Sequence, residues 1–455
     1  MRPRGSPLHS QQAVSLLSFL SPQAITLIVL VAVVAAMIWD RLRSDVVALT
    51  GAAVLLMTGV VRPIQVQSAF ASPAIVALAC LFVIAYAMEL AGLLDTSIKG
   101  LVGLCRRIGK AGLWIVIAVA GAASAFLNNT PIVVLSAPIV RQTAESLGLS
   151  PKRFLMPLSY AAVLGGCCTL IGTSTNLLVN DMAAVAGQPK FGIFEITPVG
   201  VVVAVTGGLY LLLFSGRLIK AEDGSSEPAP SIMEKRAEVG LAGAQVGSAS
   251  AFVPQHALRP VRALASFAVF VGVIALAALN VAPIAACAFA GAVLLILMRV
   301  ITADEAYSGL RPDVLMLIAG MLVLGIALRV SGVAESATAA LIVGLDGLSP
   351  LLALIIVYGV TLFATEILSN ATVAVLVTPV AVSLAEALQA SPRPFLVAVM
   401  MAGSASFATP FGYQTNALVH QLGGYNYLDF VRVGVPLNLI TWIAAVVAIQ
   451  IYFPF

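Results

Sequence analysis

Charge is what this chain has least of. Asp, Glu, Lys and Arg make up only 10% of its 455 residues and hydrophobic residues 60%, whereas charged residues form about a quarter of an ordinary soluble domain. A soluble core cannot absorb so many long apolar runs. Histidine is almost missing as well, with three copies at His9, His256 and His420 and no His-Glu-x-x-His run. An intramembrane metalloenzyme would need a ligand set that these scattered positions cannot assemble. The five cysteines, Cys80, Cys105, Cys167, Cys168 and Cys287, show no metal-ligand spacing and read as small buried hydrophobes. They leave the compartment open. A net charge of +4 says little about partners, because cations in such a chain are placed by topology, and nucleic acid is not implied. Arg2 and Arg4 precede an apolar run but no small-x-small cleavage site follows, so a retained first span is expected rather than a signal peptide.

What remains is a polytopic all-α membrane protein. Apolar runs of roughly 17 to 22 residues, the length that spans hydrocarbon as a helix, begin near Ala24, Val46, Ser72, Phe154, Ile196, Ala263, Pro283, Asp313, Phe395 and Phe430. These give about ten crossings. Two further apolar stretches, Gly112 to Leu147 and Pro350 to Leu388, are interrupted by Asn and Thr and read as re-entrant hairpins. If both hairpins return to the side they left, Lys and Arg divide 18 against 6, and the richer side is expected to be cytoplasmic. Both termini then lie outside a cytoplasmic (inner) membrane.

The chain repeats itself. FLNNTPIVVLSAP at Phe126 to Pro138 returns as ILSNATVAVLVTP at Ile367 to Pro379, and each is followed by a Gly-x-x-x-Asn break. Gly51 answers Gly291 and Asn176 answers Asn416 at an offset of 240, while Asn129 answers Asn370 at 241. The organisation expected is a tail over 1–22, a first repeat over 23–215, a cytoplasmic linker over 216–260 and a second repeat over 261–455. Each repeat holds three spans, a hairpin, a broken helix and a final span. Five crossings per repeat is an odd number, so the second copy is inverted, which is how many carriers build two access states from one fold. The linker turns polar and rich in Ser, Pro and charge, as a flexible segment does. Amphipathic runs at Asp95 to Ile108 and Ser331 to Leu345 are expected along the interface as arms between a moving and a fixed part.

Backbone leaves helical geometry at membrane depth only where it faces protein or a wet cavity, since unpaired amides in lipid cost several kcal/mol each. A hairpin tip ends one half-helix and begins another, so carbonyls at the first end suit a cation and free amides at the second suit an anion. The first tip is Asn128, Asn129 and Thr130, beside the break Gly172, Thr173, Ser174, Thr175, Asn176. The second is Ser369, Asn370, Ala371 and Thr372, beside Ala408, Thr409, Pro410, Phe411, Gly412. Isolated Asn and Thr in membrane helices often serve only as interhelical hydrogen-bond partners; duplication in register argues for a site. Glu366, three residues before Ser369, is either a structural contact or an ion-coupling group, and Glu89 carries a weaker form of the same ambiguity. Cys167 and Cys168 read as packing, His420 as a group satisfying a buried carbonyl, and Asp181, Glu195 and Asp429 as solvated or capping residues near span ends.

These motifs, with GGCCTLIGTSTNLLV at Gly165 to Val179 and ATPFGYQTNALVHQLGGYNYLDFVRVGVPL at Ala408 to Leu437, resemble the divalent anion:sodium symporters, a citrate-transporter-like family. The resemblance implies a homodimer whose transport domain moves as an elevator. It also implies a substrate set of Asn128, Asn129, Thr130, Ser369, Asn370, Thr372, Thr409 and Pro410. Sodium is the expected coupling ion, held by Ser124, Asn129, Gly172, Thr173, Asn176, Asn370, Ala408, Gly412 and Asn416, with no other metal or cofactor. Relatives read Ser-Asn-Thr at both tips; here Asn128 replaces the first Ser and Ala371 the second Thr, although Thr372 follows. The function expected is uptake of a small divalent oxyanion, with dicarboxylate, citrate and sulfate as candidates. The rival is a proton-linked antiporter or exporter of the arsenite or sodium/proton kind, in which Glu366 or Glu89 would carry the proton. For the topology, a cysteine placed at Ser225 in the linker should react with an impermeant thiol reagent only from the cytoplasmic face; labelling from outside intact cells would reverse the orientation.

Overall fold

The computed structural model describes residues 21–39, 41–93, 96, 108–219, 258–279, 281–336, 339 and 349–455. Residues 220–257 of the expected linker, residues 1–20 of the expected tail and most of both expected interfacial arms lie outside the described residues. Everything described is helix or connection. The first half runs α1 (Pro22–Trp39), α2 (Ser44–Met57), α3 (Pro63–Phe70), α4 (Pro73–Leu90), α5 (Lys110–Ser124), α6 (Asn129–Ser146), α7 (Lys152–Gly166), α8 (Ser174–Val185) and α9 (Thr197–Leu218). The second runs α10 (Pro260–Ala278), α11 (Ile284–Leu297), α12 (Ala303–Gly309), α13 (Pro312–Val330), α14 (Pro350–Thr365), α15 (Asn370–Ala387), α16 (Pro392–Ala402), α17 (Gln414–Gly423) and α18 (Tyr427–Tyr452). The helix order of the first half therefore recurs in the second, element for element.

Seven of the described helical stretches are long and apolar enough to cross a membrane: α1, α3 with α4, α9, α10, α13, α15 and α18. The protein is a multi-pass membrane protein. Six of the ten expected runs appear as such unbroken spans. At 1.5 Å per residue, the 14 residues each of α2 and α11 rise only about 21 Å, short of the roughly 30 Å hydrocarbon core. Helices α7 and α16 stop at the expected breaks, and α8 and α17 follow them as the second parts of the broken helices. Conversely, α15, read as a hairpin arm, is itself of spanning length at 18 residues.

Helix starts follow Ser-Pro punctuation. Ser72, Ser349 and Ser391 each precede a proline, and their hydroxyls accept backbone N–H bonds from Ala74, Leu352 and Arg393. Proline in the first turn has no amide to waste, and the serine satisfies one that is left over.

Packing repeats with the sequence. Helix α2 lies on α13 and its counterpart α11 on α4; α6 lies on α17 and α15 on α8; α7 meets α17 and α16 meets α8. Small residues set these approaches. A Cβ on Gly51 would come within 2.6 Å of Val33 and one on Gly291 within 2.5 Å of Val273, so α1/α2 and α10/α11 close in the same way. Helices α9 and α18 are seated likewise, since a Cβ on Gly200 would stand 2.4 Å from the Cys167 carbonyl oxygen and one on Gly434 2.0 Å from that of Phe407. Some packings lack a close mate: α14 lies against α18, α13 against α15, and α8 against both α4 and α13, but α5 does not pack closely on α9, nor α4 on α6, nor α17 on α13 or α4.

Gly434→Val should unseat α18 from the broken segment and lower the melting temperature in detergent by several degrees, the expected result of about 1–3 kcal/mol of overpacking. Gly208→Val, with nothing within 4 Å, should melt as the parent does. Equal melting of both variants would contradict this packing.

Candidate substrate and ion site

Each half builds a tip and a break and ties them together with the same bonds. In the first half α5 ends at Ser124 and α6 begins at Asn129, with the Asn128 side chain accepting from the Thr130 amide at 3.4 Å as the N-cap. The Ser124 hydroxyl donates to Asn129 Oδ1 at 2.6 Å. In the second half α14 ends at Thr365 and Ser369 caps α15, accepting from the Thr372 amide at 3.3 Å. The Thr365 hydroxyl donates to Asn370 Oδ1 at 2.7 Å. Both Asn side chains thus sit at the first residue of a half-helix, where amide hydrogens lack intrahelical partners and the dipole is positive.

The breaks close onto these tips. Thr169 donates its hydroxyl to the Ala125 carbonyl, and Thr409 donates to the Glu366 carbonyl at 3.2 Å. The amides of Gly172 and Gly412 donate back to those hydroxyls at 3.2 and 3.1 Å. Asn176 Nδ2 donates to the Thr169 carbonyl at 3.0 Å and Asn416 Nδ2 to that of Thr409 at 3.3 Å. Hence the glycine and asparagine of each Gly-x-x-x-Asn break secure unwound backbone that lipid could not satisfy.

The halves also meet each other at these points. Asn129 Nδ2 donates to the Tyr413 hydroxyl at 3.0 Å, and Thr130 Oγ1 to Gln414 Oε1 at 3.4 Å, joining the first tip to the start of α17. From α7, the Ser159 hydroxyl reaches Thr415 Oγ1 at 2.8 Å and Asn416 Oδ1 at 2.7 Å. Asn129, Asn176, Thr372 and Asn416 are fully buried, and Thr173, Asn370 and Pro410 nearly so. Thr372 turns its hydroxyl to Ser369 at 2.7 Å and to the Met37 sulfur at 3.1 Å. Three buried atoms at these four segments are left over: Asn370 Nδ2, a donor, Asn176 Oδ1, an acceptor, and the Thr173 hydroxyl oxygen beside it.

Sequence reasoning named Ser124 and missed its mate Thr365, which stands at the same five-residue spacing from the tip asparagine. The repeat carried that signal. Ser406, which donates to Asn370 Oδ1 at 3.1 Å, carried none, because Gly166 occupies the corresponding place. Tyr413 and Ser159 were likewise invisible, being cross-half contacts. Asp181, read as solvated or capping, is buried and caps another helix: it accepts from the Ser72 hydroxyl and, at 3.3 Å, from the Ala74 amide at the start of α4, with Lys190 at 3.6 Å. Glu195 pairs with Arg393, and Asp429 caps α18 by accepting from the Asn426 amide at 2.9 Å.

A cavity of about 270 Å³ opens beside the first tip. Phe82, Ala85 and Tyr86 of α4 form one wall, Asn128, Pro131 and Ser174 another, and Glu89 and Arg311 also line it. It lies where α4 fails to reach α6. At the second tip the equivalent space is filled by α13 packed on α15.

Glu366 is answered on every side within its own half. Its carboxylate accepts from the Ala408 amide at 2.8 Å, the Thr409 hydroxyl at 2.9 Å and Asn438 Nδ2 at 2.8 Å. Ala125 holds the matching place in the first half and can brace nothing. Glu366→Ala would orphan two donors, the Ala408 amide and Asn438 Nδ2, at about 1–3 kcal/mol each, and leave the Thr409 hydroxyl with the residue 366 carbonyl alone. It should lower the melting temperature by more than Asn438→Ala does, and the double variant should lose less than the sum of the two. Additive losses would place the two side chains in separate networks.

Comparison with known proteins agrees with this geometry. The family model described as citrate transporter matches residues 34–400 and 367–455. An uncharacterized transporter of Synechocystis is 25% identical, over 94% of this chain and 97% of its own. Sodium/sulfate cotransporter 1 of Chlamydomonas reinhardtii is 47% identical over 103 residues, 21% of this chain and 12% of its own. Among solved structures, the transporter MtrF of Neisseria gonorrhoeae superposes with a TM-score of 0.56 at 15% identity, over 97% of both chains, a likeness of fold alone. With its helix order, its paired tips and a family match over most of its length, the chain belongs to the citrate transporter family and is a secondary transporter rather than an enzyme.

Proposed function

We propose that this protein takes up a small divalent oxyanion, a dicarboxylate, citrate or sulfate, coupled to sodium. The observation that carries the reading is the duplicated tip: an asparagine at the first residue of a half-helix, its Oδ1 beside a hydroxyl and its Nδ2 directed away from that hydroxyl, tied to the break of the same half. Oδ1 of Asn129 and Asn370, the hydroxyls of Ser124 and Thr365, the carbonyls near Gly172 and Ala408, and the spare Asn176 Oδ1 are acceptors of the kind a sodium ion takes. The spare Asn370 Nδ2 and the first amides of α6 and α15 are donors suited to an anion.

The order of binding follows from electrostatics. No Lys or Arg stands among the tip and break residues, so the positive field comes from helix N-termini and from bound cation. Two negative charges entering this low-dielectric space are strongly disfavoured before sodium is present. Sodium therefore binds first. The Chlamydomonas relative named as a sodium/sulfate cotransporter supports sulfate and sodium as the first pair to try.

Access follows from the fold. The recurring helix order and the exchanged packings, α2 on α13 with α11 on α4 and α6 on α17 with α15 on α8, support two inverted repeats forming ten crossings and two hairpins. Hairpins and broken helices act as the moving elevator in a homodimer. Helices α1–α4 and α10–α13 form the frame. The charge count puts Arg311 on the cytoplasmic side, so the cavity beside the first tip faces inward while α13 seals the second.

In proteoliposomes, an inward sodium gradient should drive uptake of labelled sulfate, succinate or citrate, and Asn129→Ala and Asn370→Ala should each cut that uptake at least tenfold while eluting as folded protein. Uptake driven by a proton gradient without sodium would replace this reading with the proton-linked one.

A further inference from the structure

The two halves are not in the same state, and one difference stands at the N-terminal ends of α4 and α13. Helix α4 is doubly capped: Ser72 accepts from the Ala74 amide, and Asp181 of α8 holds both the Ser72 hydroxyl and the Ala74 amide. Helix α13 has Arg311 at the same N-cap position and no side-chain cap at all. The residue matching Asp181 is Gln421, five beyond Asn416 as Asp181 is five beyond Asn176. Gln421 is exposed on α17, which does not pack closely against α13. Gly325 of α13 lies against Met182 of α8 and Val375 of α15, where a Cβ would stand 2.2 and 3.3 Å from their side chains. Its match on α4, Ala85, lines the open cavity instead.

We propose that the Asp181 cap on α4 is a positioning latch for the present access state, exchanged in the opposite state for a contact between Gln421 and the Arg311 end of α13. The inference rests on the inverted-repeat reading above: when the halves trade conformations, each takes up the contacts its partner now makes. Ser72 is released, Gln421 reaches the uncapped end of α13, and Ala85 is covered by Leu422 and Val134, the residues matching Met182 and Val375. The latches are unequal. A carboxylate at a helix N-terminus makes charge-assisted bonds about twice as strong as neutral ones, and the other side has only an amide. The chain therefore rests with the cavity beside the first tip open.

The test reads the state without any anion. A single cysteine is placed at Ala85, with the five native cysteines replaced, and its rate of reaction with a charged thiol reagent is followed in detergent. Gln421→Glu, which gives Arg311 a carboxylate partner, should slow labelling at least threefold, and Asp181→Asn should slow it in the same direction. The two together should slow it most, and Arg311→Gln should reverse the effect of Gln421→Glu. A general loosening of the fold would speed labelling, so the direction separates the latch from damage. Unchanged or faster labelling in Gln421→Glu overturns the proposal, as does an effect that survives Arg311→Gln. Because neither sodium nor substrate is present, loss of the transport reading would show in uptake and leave this result standing.

Discussion

The constraint that organises this molecule is that an unwound peptide in hydrocarbon must find its partners inside the protein. Four helical segments are interrupted, and the protein meets the cost with one device used twice: a threonine hydroxyl that donates to a tip carbonyl and accepts from a glycine amide, with an asparagine amide closing the loop. Once those bonds are made, the remaining polar atoms can be turned toward a cargo. The half-helix ends, the tip asparagines and the spare groups on Asn370 and Asn176 are consequences of that arrangement.

Duplication gives the site, and departures from it give direction. Where Glu366 stands opposite Ala125, the second half gains an internal brace that the first lacks. Where Ser406 stands opposite Gly166, the second tip gains an extra hydroxyl. Where α13 reaches α15 but α4 does not reach α6, one tip is covered and the other is open to a cavity. A strictly symmetric molecule would face neither side in preference. On the proposed inverted-repeat reading, these unmatched residues make the two access states unequal in energy, by the difference between a charged and a neutral helix cap among other terms.

Much of this was legible in the sequence, because membrane depth restricts what polar residues can be. The two tips, both breaks and the repeat offset came directly from the recurrence of Asn-Asn-Thr-Pro and Ser-Asn-Ala-Thr and of the Gly-x-x-x-Asn spacing. Helix lengths were less legible. The run from Val46 predicted a full span, but α2 stops at Met57, and α7 and α16 end at the breaks that their own glycines announce. The helix that Asp181 caps was not legible, because sequence position near a span end does not reveal that Ser72, 109 residues earlier, folds onto it. Ser159 and Tyr413 escaped for the same reason: they bond across the two halves, and a repeat found by offset reports only what matches within it.

The account stands on sodium and the anion sharing one site built from both halves. Equilibrium binding of labelled sulfate to the purified protein, titrated with sodium at constant ionic strength, tests this most directly. Affinity that rises at least tenfold with sodium, and fails to rise when potassium is substituted, is the predicted result. Sulfate binding of equal strength with and without sodium would contradict it.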